Sequence, residues 1–407
     1  MKRLVAVLLT LASACVLVAK EKKTVMIIMD GIPTDVMERL DVPLVKEISS
    51  RGAFGHSYVG GETGSYSETP TISAVCYNIM LTGTWVNKHN VYGNSGQKPN
   101  YNYWSLFKIA KEQKTPKTTA IFSSWQDNRT ILLGENLPGT DYMKIDYVAD
   151  GYEFDNERFP KREHDLQIYD YDVEVCKQAA ECIRKNAPDL SWVYLWYNDD
   201  AGHIFGNGSF FDEYVYKECE LVSQVWEAVK YREKNYDEEW MVVLLTDHGR
   251  TLDGKNHGGQ SWRERTTWIA TNQKVNARFR NGEVSMVDVN PTVCEFMGFE
   301  VPELVRREQD GISFIGRTEI KDMSLYLSDR KNVSIRWKAV NKNVSVSIYA
   351  AKANEYKETG REEWIKLAEL KSGEEEYNIS LDTIGESDFY KFAVESEHDS
   401  LNRWLKN

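Results

Sequence analysis

Apolar runs alternate with amphipathic stretches along most of this chain. Val25–Asp30 reads as a buried strand, as do the apolar runs opening at Trp192 and Met241, and Thr119–Phe122 is a shorter one. Helical spacing of apolar positions covers Val36–Arg51, ending at Gly52, and Ser73–Leu81, opening after Pro70. It recurs over Tyr103–Gln113, Asp172–Asn186 and Glu213–Glu233. This alternation predicts an α/β domain, with a largely parallel sheet sandwiched by helices. Residues 136–170 break the rhythm. They are rich in Asp, Tyr, Glu and Pro, and they suit either a surface excursion or a lid over a crevice.

The pattern changes again near residue 317. Val333–Trp337, Val344–Tyr349, Trp364–Leu367, Tyr377–Leu381 and Phe389–Val394 are short alternating segments at sandwich spacing. They predict a small C-terminal β-sandwich over 317–407, similar in length and in Trp and Tyr placement to a fibronectin type III module. It holds one His and no chemical motif, so an accessory role is expected of it.

Lys2 and Arg3 precede an apolar stretch, Leu4 to Ala19, of secretory-signal length. We therefore expect a signal peptide over 1–19 and export to the periplasm or beyond, with cleavage after Ala14 or after Ala19. Ala12-Ser13-Ala14-Cys15 loosely resembles a lipobox, with Ala where Leu is usual, so anchoring at Cys15 is a lesser alternative. No later segment is apolar enough to span a membrane. The remaining cysteines, Cys76, Cys176, Cys182, Cys219 and Cys294, have no CxxC spacing and read as buried thiols, though export permits one disulfide.

The 407 residues suffice for a large core and a second module. A formal net charge of −12 argues against a nucleic-acid-binding surface. It also repels anionic substrates at long range, so phosphate recognition would have to come from bound cations. Oligomeric state is not legible.

Three apolar strands end in metal-ligand chemistry. Asp30 follows the first, Asp199 and His203 follow the second, and Asp247, His248 and His257 follow the third. In open α/β sheets, ligands collect outside the carboxyl ends of strands. Three Asp and three His suit two divalent transition metals, zinc first. Asp200 is a rival to Asp199.

In Thr69-Pro70-Thr71-Ile72-Ser73, a hydroxyl opens a helix nine residues before Thr82-Gly83, and His89-Asn90-Val91-Tyr92-Gly93-Asn94 follows. With the Asp, Asp-His-Gly and His-Gly elements in order, the chain resembles the alkaline phosphatase superfamily over 24–316. It is most similar to the nucleotide pyrophosphatase/phosphodiesterase branch, which usually has Thr at the nucleophile. The resemblance implies that Ser73 is the nucleophile, with Thr71 next in line. It implies that Asp30, Asp247 and His248 hold the metal that also binds Ser73. Asp199, His203 and His257 would hold the other metal, and Asn94 would donate to a phosphate oxygen. The four-residue step before His203 selects Asp199. His89, and a Glu264–Arg265 ion pair, are expected to be structural.

The substrate expected is a small-molecule or polymer-attached phosphate ester. Ser73-Ala74-Val75-Cys76-Tyr77 lacks the Pro and Arg of a sulfatase formylglycine motif. Where monoesterases of this branch often carry Lys-x-Arg, Gln126 and Asn128 stand here, with Arg129 adjacent. That tilts the reading toward a diester. Trp85, Tyr92 and Trp125 are candidates for an aromatic wall beside Gln126. The alternatives are a phosphomonoesterase or phosphonate hydrolase, and, in another class, a secreted binding module on a degenerate catalytic fold.

Overall fold

A computed structural model describes residues 20–328 and 331–406. The expected signal peptide and Cys15 lie outside the described residues. Strands β1 (Glu21–Met29), β2 (Ala53–Tyr58), β3 (Thr119–Ser123), β4 (Tyr147–Ala149), β5 (Leu190–Leu195), β6 (Glu238–Leu245) and β7 (Thr266–Thr271) form one sheet. The order is β2-β7-β6-β1-β5-β3-β4. The five strands from β6 to β4 are parallel, and β7 and β2 add an antiparallel edge.

The carboxyl-terminal halves of β1 and β6 are apolar because both faces are covered there. Met26 and Ile28 enter one core, whereas Val25, Ile27 and Met29 enter the other. Register sets the site. Met29 lies opposite Leu195 and Ile28 opposite Leu245, so β1, β5 and β6 end at one level. The ligand-bearing turns of all three therefore open on one edge.

The helical spacing over 36–51 is interrupted. Helices run from Thr34 to Arg39 and from Pro43 to Arg51. Pro43 excludes the helical conformation from the residue before it, and Val42 is extended (φ −88°, ψ 109°). The second helix then starts with Pro43 at its first position. Residues 136–170 supply the parallel edge strand β4, with Tyr147 opposite Ala120, so part of this excursion belongs to the sheet. β2 and β7 were not expected, since their polar-rich sequences lack a strong period.

Beyond residue 317, seven strands form two antiparallel sheets. They are β8 (Ile320–Leu327), β9 (Asn332–Ala339), β10 (Ser345–Ala351), β11 (Ile365–Lys371), β12 (Glu376–Ser380), β13 (Phe389–Glu395) and β14 (Ser400–Lys406). The sheets run β11-β10-β13-β14 and β12-β9-β8. Ile335, Trp337, Ile348 and Phe392 share one core between them, as a sandwich requires. Buried ion pairs tie this module to the first: Lys391 Nζ to Glu308 (2.5 Å) and Arg307 to Glu395 (3.0 Å). The five cysteines from Cys76 onward are free thiols.

Candidate active site

The turn after β1 carries Asp30 and Gly31. Gly31 has φ +65°, and a Cβ there would lie 2.7 Å from Asp199 Oδ1, so the backbone crosses too close for a side chain. Its N–H donates to Asp247 Oδ1 (3.0 Å), joining the turns after β1 and β6.

Asp30, Asp247, His248 and Ser73 converge. His248 Nε2 lies 3.3 Å from Asp30 Oδ1, from Asp247 Oδ2 and from Ser73 Oγ. All four residues are buried. Asp30 Oδ1 and Asp247 Oδ2 have no hydrogen-bond donor among the described residues. Buried carboxylate oxygens without donors are costly unless a cation meets them. The other oxygen of Asp30 accepts the hydroxyls of Tyr77 and Tyr194, the latter at 2.7 Å. Burial and the Asp30 charge raise both phenols well above their ordinary pKa, so they remain donors.

Asp199, His203 and His257 form a second group beside the first. His203 Nε2 lies 3.3 Å from Asp199 Oδ2 and 3.2 Å from His257 Nε2. The His257 ring stacks on His248 at 3.8 Å. Asp200 stands outside both groups. Burial and the Asp199 charge raise its pKa to about 7.

The three histidines share one orientation. Nδ1 of His248 donates to the Gly249 carbonyl (2.9 Å), that of His203 to Lys255 (2.7 Å) and that of His257 to Thr71 (2.9 Å). Each Nε2 is thereby turned inward, the aim that a metal ligand needs. Burial and neighbouring His248 hold His257 down to about 4, so it is neutral at pH 7. Burial opposes charge on His248 too, but Asp247 and Asp30 lift it to about 9. Imidazole Nε2 atoms facing one another at 3.2 Å, with acidic oxygens gathered beside them, form a donor set that suits metal cations.

Ser73 opens the helix Ser73–Thr82, which ends at left-handed Gly83. Asn94 Oδ1 accepts the Ala74 N–H (2.9 Å), so Asn94 caps this helix and its amide nitrogen stays uncommitted among the described residues. Thr71 is a less suitable nucleophile. Its hydroxyl donates to Gly259 and accepts from Gly258, clamping the His257 loop.

The remaining residues expected to bind substrate have different surroundings. Trp85 stacks on Tyr58 at 6.1 Å and lines a groove that none of the metal-ligand set lines. Tyr92 is 56% exposed. Trp125 meets Tyr77 edge-on at 6.5 Å, and Gln126 lies against Gly151. Asn128 is fully buried and donates to Ser123 Oγ (3.1 Å). Arg129 is clamped by Asp150 (2.6 Å) and Glu135 (2.5 Å). The Glu264–Arg265 pair does not form. Glu264 closes a capping box with Ser261 and accepts the Gly259 N–H, while Arg265 binds loop carbonyls. His89 is buried and accepts from Val91 N–H through Nδ1.

Sequence reasoning missed Arg250. It directly follows Asp247-His248-Gly249 and is fully buried, donating from Nη1 to Asp199 Oδ1 (2.7 Å) and from Nη2 to the Asp199 carbonyl (2.8 Å). Gly202 makes room for it, since a Cβ there would lie 2.4 Å from the guanidinium carbon. Also missed are Asp172 and Glu218, fully buried beneath the helix Tyr197–Phe205. Asp172 accepts N–H groups of Trp196 (2.9 Å) and Tyr197 (2.8 Å), and Glu218 accepts that of Asn198 (3.0 Å). The helix has no cap from its own turn, so these carboxyls satisfy its first donors.

Solved structures share this fold. The chain is similar to a 2-O GAG sulfatase at 12% identity, covering 89% of this chain and 86% of that one (TM-score 0.51). A Bacteroides thetaiotaomicron protein described as a sulfatase matches with the same identity, coverage and score. Ps i-CgsB, bound to k-i-k-neocarrahexaose, matches at 15% identity over 86% of both chains (TM-score 0.50). No curated protein matches the sequence. The model of the type I phosphodiesterase/nucleotide pyrophosphatase family matches residues 24–292. The chain therefore belongs to the type I phosphodiesterase/nucleotide pyrophosphatase family and, with it, to the hydrolases of the alkaline phosphatase superfamily.

Proposed function

We propose that this protein is an exported, two-metal phosphodiesterase of the nucleotide pyrophosphatase type, acting through a Ser73 phospho-enzyme intermediate in which the serine carries the remaining phosphate ester. The observation that carries the reading is the common orientation of His203, His248 and His257, each donating Nδ1–H to a carbonyl and turning Nε2 inward. Asp30, Asp247 and His248 would hold one metal and Asp199, His203 and His257 the other, zinc suiting the mixed N/O donors. Bound there, the metals would lower the pKa of a hydroxyl and offset phosphate charge.

The chain's own groups supply the rest. Ser73 Oγ gives up its proton and attacks phosphorus, one alcohol of the diester departs and takes up a proton, and water then releases the remaining phosphate monoester and restores the serine hydroxyl. The Asn94 amide nitrogen is free to donate to an equatorial oxygen. Tyr77 and Tyr194 fix the rotamer of Asp30. The site of a monoesterase would need a further cation for the second phosphate charge. Asn128 is buried away and Arg129 is neutralised by two carboxylates, which supports a monoanionic diester as substrate.

The test is parallel turnover of bis-nitrophenyl phosphate, nitrophenyl phosphate and nitrophenyl sulfate. We expect kcat/KM for the diester to lead by about tenfold or more, roughly 1.4 kcal/mol of differential transition-state binding. Preference for the monoester or the sulfate would refute the phosphodiesterase assignment. Absence of turnover with both metals bound would point to a binding module.

A further inference from the structure

Asn94 lies on the loop that follows the short helix Val86–His89. Residues 90–100 carry no helix or strand, and Asn94 itself is exposed. Its side chain meets the nucleophile helix through one bond, from the Ala74 N–H to Oδ1 (2.9 Å). Aiming the amide nitrogen therefore depends on how firmly the loop backbone is held, since each ordered residue gives up conformational entropy.

The loop is laced across its own width. Gln97 Nε2 donates to the Asn94 carbonyl (2.5 Å), Asn90 Nδ2 to that of Lys98 (2.9 Å) and the Asn100 N–H to that of His89 (2.9 Å). The Val91 N–H donates to His89 Nδ1 (3.2 Å). Burial, joined by the nearby Lys357 charge, holds His89 down to about 3, so the ring is neutral and Nδ1 can accept. These bonds bring the two feet of the loop side by side.

Both feet stand on one residue of the C-terminal module. Lys357, in the short helix Glu355–Thr359, donates from Nζ to the Asn87 carbonyl (3.0 Å), just before the loop. Its own carbonyl accepts Nδ2 of Asn100 (2.7 Å) and of Asn102 (3.1 Å), at the far end of the loop. Neighbouring contacts fix this approach. The buried rings of Tyr356 and Tyr103 meet at 5.2 Å, and a Cβ on Gly360 would lie 3.1 Å from Asn102 Oδ1. Lys88, fully buried beside Asn87, donates to Asn402 Oδ1 on β14 (2.8 Å). On the assignment of Asn94 as a phosphate-oxygen donor, we propose that the C-terminal module supports catalysis, with Lys357 a positioning residue that clamps both feet of the Asn94 loop and so sets the aim of its amide nitrogen.

The experiment is a double-mutant cycle on the metal-loaded full chain with bis-nitrophenyl phosphate, joined to hydrogen exchange. Asn94→Ala should lower kcat on the order of 10²-fold, the usual loss for one transition-state donor. Lys357→Met, which frees the Asn87 foot, should lower kcat about tenfold with KM nearly unchanged, as a small misplacement of such a donor does. Asn100→Asp sets a carboxylate against the Lys357 carbonyl and should do the same at the other foot. Combined with Asn94→Ala, neither should lower kcat further, because the donor they aim is gone. Exchange over residues 88–102 should quicken about tenfold in both, while that over β6 stays as in the parent protein. The proposal is overturned if either clamp variant keeps kcat within about twofold, if its loss adds in full to that of Asn94→Ala, or if exchange over 88–102 is unchanged. Parental turnover in Asn94→Ala would overturn the donor assignment and the clamp with it. A loss in Asn94→Ala alone would leave that assignment standing and remove only the clamp.

Discussion

Arg250 holds Asp199 by both its side chain and its backbone, 2.7 Å from Oδ1 and 2.8 Å from the carbonyl oxygen. The pair is buried, so one oxygen of a proposed metal ligand is already taken by a resident cation. Oδ2 alone faces His203. Removing the guanidinium leaves a buried carboxylate uncompensated, which typically costs about 3–5 kcal/mol. Arg250→Met should therefore unfold at lower urea in chelator, and zinc should restore part of the loss. An unchanged midpoint would show that the pair contributes no stability.

The same pair makes the two metal groups unequal. Asp30 and Asp247 offer two carboxylates with no Lys or Arg partner among the described residues, whereas Asp199 is neutralised by Arg250. Graded chelation should pass through a form holding one metal per chain, the Asp199 side emptying first. Elemental analysis along the titration reads this directly. Simultaneous loss of both ions would contradict it.

Ser73→Ala tests the nucleophile. Its Oγ is 3.3 Å from His248 Nε2, at the start of a fully buried helix. The substitution removes one buried hydroxyl, so the fold should survive. Turnover should fall on the order of 10³-fold or more, because groups acting as a unit fail together. Trapping of the labelled Ser73 phospho-enzyme should vanish as well. Near-normal turnover would move the nucleophile elsewhere.

A pH dependence arises from the carboxyls under the Asp199 helix. Burial lifts Asp172 from an ordinary 3.8 to about 7, and burial with the nearby Asp172 lifts Glu218. The folded state holds a proton that the unfolded chain releases near pH 4. That contribution is full below pH 4 and is lost as pH rises through about 7, a change on the order of a few kcal/mol. Asp172→Asn should flatten this part of the stability curve relative to the parent protein. An identical slope in both would assign the effect to other groups.

The ligand types are legible in the residues themselves because divalent metals accept few donors, and strand ends are where such donors gather. Asp30, Asp247 and His248 sit beside the apolar runs that announce β1 and β6, so sequence alone places them at a sheet edge. The C-terminal sandwich is legible from alternation, although β8 and β14 at its sheet edges are not. Position along the chain could not show that Arg250 reaches Asp199, 51 residues away, or that Asp172 and Glu218 cap a helix neither belongs to. An arginine after a turn and an acid inside a helix are ambiguous residues, and packing alone chooses their partners. The surroundings of Trp85 and Asn128 have the same origin. Their chemistry permits a substrate contact, but the folding of the strands and the C-terminal module buries one under Tyr58 and the other beside Ser123. Donor chemistry is a property of residues, whereas distance and desolvation arise only when the whole chain has packed.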